Sequence, residues 1–123
     1  MVEKTRGQLE AEISVAMTRF EKEHLGRGPK EVRAYIIEDM ILVRLKGVLT
    51  PAEEKLAADK DGARLIKEIR MRLIENSRPL IEKIIEDITL AKVRTLHTDI
   101  SSKTGERIIL LGLDLNLEAV LIK

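Results

Sequence analysis

Cysteine and tryptophan are absent from this chain of 123 residues. Without cysteine there is no disulfide to staple the fold and no thiolate to hold a metal. Phe20 and Tyr35 are the only aromatics, so the core must be aliphatic and platforms for stacking bases are almost missing. No apolar run approaches the ~20 residues that cross a bilayer. The charged start, MVEKTRGQLEAE, lacks the apolar stretch of a signal peptide. An excess of one charge is missing too: 22 Lys and Arg stand against 21 Asp and Glu, interleaved throughout. Nucleic-acid binders usually cluster positive charge on one face, so no nucleic-acid partner is expected. Cytoplasmic residence is expected, with any place at a membrane held through a partner.

What is present fits one compact domain over residues 1–123, with 44% hydrophobic residues. Apolar side chains at Leu9, Ile13, Ala16, Met17, Phe20 and Leu25 recur in steps of three and four. That spacing predicts an amphipathic helix, with Glu21 among the residues off its apolar face. Gly26-Arg27-Gly28-Pro29 stops it, because glycine accepts the left-handed conformation past a helix end and Pro29 cannot continue one. VRAYII and MILVRLKG then read as two strands around the polar pair Glu38-Asp39. Ile41, Leu42, Val43 and Leu45 make the second strand apolar on both sides. A strand with one wet face would alternate, so both of its faces are expected to be covered.

Thr50-Pro51-Ala52-Glu53 is a helix start: the threonine oxygen can accept the third helical amide while Glu53 reaches back, and Pro51 sits where no amide is needed. The short helix is expected to reach about Ala58 and to break at Asp59-Lys60-Asp61-Gly62. Helix is predicted again from Ala63 to Asp87, with Ile66, Ile69, Leu73, Leu80, Ile84 and Ile85 as the buried stripe. Pro79 predicts a kink there, or a restart capped by Ser77. The segments LAKVRTLHTDI and ERIILLGLDL read as a second hairpin, followed from about residue 114 by an apolar tail. The fold class is therefore α+β: two α-β-β units giving a four-stranded antiparallel sheet with helices packed on one face. Strands two and four carry apolar residues on the other face as well, which predicts a homodimer or higher homo-oligomer, through that face or an exchanged tail.

Candidate chemistry is sparse. Glu21 and His24 have Glu-x-x-His spacing, but a metal site needs a second such motif and facing glutamates. They read instead as a solvent-facing pair at a helix C-terminus. His97 and Asp99 share one face of a strand, with no nucleophile tied to them. The arginines at 64, 70, 72 and 78 beside Glu68, Glu75 and Glu82 read as an exposed face of helical ion pairs. No catalytic residue, metal or cofactor is expected. The alternative is a small-ligand or anion site around Arg27, Lys30, Arg33 and Asp39, with Gly26, Gly28 and Pro29 shaping its loop.

The segment GRGPKEVRAYIIEDMILVRLKGVLTPAEEKL, then Ile69-Arg70, Arg78-Pro79-Leu80, Lys92-Val93 and Asp99-Ile100, resembles the MpsC-like family. This small bacterial group is linked by name to a sodium-translocating, membrane-potential-generating system. The likeness runs from about Gly7 to Leu113, and the leucine-rich tail is a departure. It implies a soluble companion of integral membrane subunits, and brings no catalytic residues with it. A non-enzymatic, self-associating accessory protein is the function expected.

Overall fold

A computed structural model describes residues 3–122. In chain order these form α1 (Arg6–Phe20), a single π-helical turn (Glu21–Leu25), β1 (Glu31–Ile37), β2 (Met40–Lys46), α2 (Pro51–Leu56), α3 (Lys60–Asn76), α4 (Arg78–Thr89), β3 (Val93–Ile100), β4 (Arg107–Leu113) and α5 (Leu117–Val120). The four strands make one antiparallel sheet in the order β1-β2-β4-β3. The α+β class and the two α-β-β units are as the sequence predicts.

Local chemistry sets the helix starts. Thr5 opens α1 with a reciprocal box: its hydroxyl accepts the Gln8 amide at 3.1 Å and the Gln8 side chain accepts the Thr5 amide at 2.9 Å. The predicted Thr50–Glu53 box caps α2 in the same way, with Pro51 at its first position. Asp59, expected to break a helix, instead caps α3 through the Gly62 amide at 2.7 Å. α2 therefore ends at Leu56, short of Ala58. At Pro79 the chain restarts rather than kinks; Ser77 marks the junction, but its side chain caps nothing.

The core lies between the helices and one face of the sheet. Ala34, Ile36, Ile41, Val43, Leu45, Ile109, Leu111 and Leu113 point into it from the strands. Leu9, Ile13, Met17, Phe20, Ile66, Ile74, Ile81 and Ile85 meet them from the helices. Two stripe residues expected to be buried, Ile69 and Leu80, are exposed. In α3 the buried row runs Gly62, Ile66, Arg70 and Ile74, which leaves Ile69 outside it. After the restart at Ser77 the row of α4 is Ile81, Ile85 and Thr89, so Ile81 takes the place expected of Leu80 and Ile85 is buried as predicted. The tail folds onto its own chain: Leu117 and Leu121 are buried, and Ile122 bridges Thr5 beside the start of α1.

Candidate functional site

Two features stand out above this frame, a buried cluster of charges and an uncovered sheet face. Gly62, Ile66, Arg70 and Ile74 form the buried stripe of α3, so an arginine occupies the middle of an otherwise apolar row. Only 1% of Arg70 is exposed, which corrects the expectation of a solvated arginine there. Its guanidinium forks onto Glu53, with Nε donating to Oε2 at 3.0 Å and Nη2 donating to Oε1. Nη1 donates to the Leu25 carbonyl at 3.1 Å and Nη2 to the Val48 carbonyl at 3.0 Å. One side chain thereby ties α3 to the end of the π turn, the segment after β2 and the cap of α2.

Glu21 opens the π turn and is 0% exposed, not solvent-facing as its spacing with His24 suggests. Its Oε1 lies 3.5 Å from Arg70 Nη1, yet neither carboxylate oxygen has a hydrogen-bond partner. Position 21 lies four residues after Met17, on the buried row of α1, while His24 stays at the surface against Phe20. Burial pushes the Glu21 carboxyl above its ordinary value, and the positive charges of Arg107 and Arg70 oppose that shift without cancelling it. Arg107, at the start of β4, is equally enclosed. It donates to Thr98 Oγ1 and to the Arg70 carbonyl, each at 3.1 Å, and leaves its Nε unpaired. Burial lowers its pKa to about 10, against the pull of Glu21.

Glu53 titrates below the usual carboxylate range: partial burial raises it, but the bonds from Arg70 and Thr50 together outweigh that. The four groups balance in charge, two carboxylates against two guanidiniums. Three of the four groups are enclosed and Glu53 is partly buried at the rim. The cluster can pin the Gly-Arg-Gly-Pro loop, where Gly26 takes φ 142° beside the Arg70 guanidinium.

Of the predicted anion-site residues, Arg27 and Lys30 meet beside Gly47 and Glu54, whereas Arg33 and Asp39 lie elsewhere. Arg27 points at the Gly47 carbonyl, 3.5 Å away, and at Glu54, 3.7 Å away. Lys30 lines a polar cleft of about 540 Å³ beside Gly47 and the Ser102–Gly105 turn. Arg33 lies on the open sheet face and pairs with Glu31 at 3.3 Å. Asp39 sits in the β1–β2 turn, at the far end of the ladder from Lys30. His97 and Asp99 share the open face, but Asp99 binds Lys67 at 3.1 Å. Among the described residues no three His, Cys, Asp or Glu side chains gather as metal ligands.

The second feature is the side of the sheet that no helix covers. Alternation along the strands places Tyr35, Ile37, Met40, Leu42, Ile108 and Leu110 there. Tyr35 and Ile37 are 38% and 42% exposed, and the other four are partly buried. Within one chain, β2 is therefore covered on a single face.

A family model described as "Na+-translocating membrane potential-generating system (MpsC)" matches residues 5–115. The chain is 44% identical over 124 residues to the uncharacterized protein YbcI of Bacillus subtilis (strain 168), spanning 98% of this chain and 100% of that one. No solved structure matches it.

Proposed function

This chain belongs to the MpsC family, and from that premise we propose that it is an accessory protein without catalysis of its own. It pairs with a second copy through the open face of its sheet and serves a membrane-potential-generating system through protein contacts. The uncovered apolar face carries this reading. Soluble monomers rarely leave a contiguous apolar patch beyond a few hundred Å² in water.

Strand addition at the β1 edge is a poorer route to a partner. Glu10 accepts the outward amide of Ile36 at 2.9 Å, and Glu118 accepts that of Glu38 at 2.8 Å, so part of the edge is already plugged. In the buried cluster Glu21, Arg70 and Arg107 are enclosed, which favours a role for it in holding the fold over one in chemistry. Among the described residues no helix is long and apolar enough to cross a membrane. The protein then acts from the cytoplasmic side and reaches the membrane through its partners.

Light scattering over a dilution series tests the pairing. The expected mass is that of a dimer for the native chain, falling to one subunit for the Leu42→Asp, Leu110→Asp double variant. A native chain that stays a single subunit at high concentration defeats the reading.

A further inference from the structure

The pattern of charge on the open face selects how two copies stack. We infer that they pair about a two-fold axis running along the strands, so that β1 of one copy lies over β3 of the other. This rests on the pairing proposed above and adds its geometry.

The strand registers divide the open face into rows that cross the sheet. Nearest the β1–β2 turn lie Ile37, Met40, Gly112 and Thr95, and then Tyr35, Leu42, Leu110 and His97. The following row holds Arg33, Arg44, Ile108 and Asp99. Glu31 and Lys46 close the face, with Glu106 beside them. One half of the face is thus apolar or uncharged and the other half is charged. Within the charged half, Arg33, Arg44 and Lys46 come from β1 and β2, whereas Glu106 and Asp99 come from the β4 and β3 side. Glu31 is the exception, held between Arg33 at 3.3 Å and Lys46 at 3.5 Å.

Rotation about an axis along the strands lays each row over its own reverse. Leu42 then meets the partner's Leu110, and Met40 meets the partner's Gly112, where the missing side chain leaves room. Arg33 faces the partner's Asp99, and Lys46 faces the partner's Glu106. The existing pairs within a chain, Arg44 with Glu106 at 2.7 Å and Lys67 with Asp99 at 3.1 Å, extend into networks across the interface. Packed sheets keep their strands within about 30° of each other, a rotation that arginine side chains can span.

An axis across the strands gives the opposite result. Each strand lies over its own copy and the rows reverse, so Arg33 meets the partner's Tyr35 and Lys46 meets the partner's Met40, whereas Arg44 lies on an aliphatic side chain of the partner (the partner's Ile108 or the partner's Leu42) about either axis. Arg33 and Lys46 then lose the partner carboxylates that the first arrangement gives them, and a cation set on apolar groups is costly. The strand order β1-β2-β4-β3 is what sets basic against acidic residues in the favoured arrangement.

Complementary charge reversals test the axis. Arg33→Asp sets like charges against the partner's Asp99, and Asp99→Arg does the same against the partner's Arg33. Each alone is expected to weaken self-association by about tenfold or more, since like charges at an interface are strongly unfavourable. Mixed in equal amounts, the two variants are expected to recover native affinity in sedimentation equilibrium, because their heterodimer has both pairs matched. A native dimer that neither reversal weakens, or a mixture that does not recover, overturns this geometry while leaving the pairing intact. A native chain that never dimerises defeats both. Both positions are exposed, so folded variants are expected; circular dichroism checks this, and Arg33→Glu with Asp99→Lys is a second pair.

Discussion

Arg70 sits where the period of α3 asks for an aliphatic side chain, and the surrounding fold accepts four hydrogen bonds from its guanidinium. A buried ion network is weak support for stability in itself, but breaking one by removing a single partner is costly. Arg70→Met strands Glu21 and half of Glu53, and is expected to lower stability by about 3–5 kcal/mol in urea denaturation. Glu21 behaves differently, because its carboxylate has no hydrogen bond and titrates above its ordinary value of 4.5. Between the unfolded and folded values the native chain keeps a proton that the unfolded chain has shed. Its contribution is complete below the unfolded value and is lost as pH rises through the folded one. Glu53 has the opposite sign, since its lowered value gives stability that disappears as pH falls through it. Glu21→Gln removes one titration, so the native chain should gain on that variant as pH drops from 7 towards 4.5. Urea titrations at both pH values measure the change, and a constant difference contradicts the assignment.

Elements meet at a few close approaches that single residues permit. A Cβ at Gly62 would collide with the Leu56 carbonyl at the junction of α2 and α3. Gly62→Ala is therefore expected to destabilise by about 1–3 kcal/mol through overpacking, read as a lower thermal midpoint. Without that clash, alanine inside a helix would stabilise instead, so the sign of the change decides the matter. The β1–β2 turn shows how the tail is used. Glu38 takes φ 54° without being glycine, and Glu118 of α5 holds its amide while donating its own to the Glu38 carbonyl at 3.3 Å. A short, apolar C-terminal element thereby clamps a turn whose sequence is poor turn chemistry.

For the whole molecule, the helices lie on one side and the sheet presents the other. If that side joins two copies in service of a membrane system, then losing the protein lowers the membrane potential of its host. A potential-sensitive dye should show recovery with the native chain and none with the Leu42→Asp, Leu110→Asp variant. Recovery with a variant shown to be a single subunit would separate the role from the pairing. Much of this architecture was legible beforehand. The apolar steps of α1, the Thr50–Glu53 box and the doubly apolar β2 each carry their signal within a few neighbouring residues. The charge cluster was not legible, because Glu21, Glu53, Arg70 and Arg107 are far apart in the chain and charged residues are ordinarily solvated. The local hints were of phase alone: Glu21 is four residues from Met17 and Leu25, Arg70 is four from Ile66 and Ile74, and Arg107 is two from Ile109.

Periodicity, capping and turn chemistry act over one or two turns of chain, so the sequence by itself determined the elements, their class and the surplus of apolar strand residues. Which charges go inside, and which face of the sheet stays open, depends on contacts between segments tens of residues apart. Only the tertiary structure decided these, because burying a charge becomes tolerable only where distant partners arrive together.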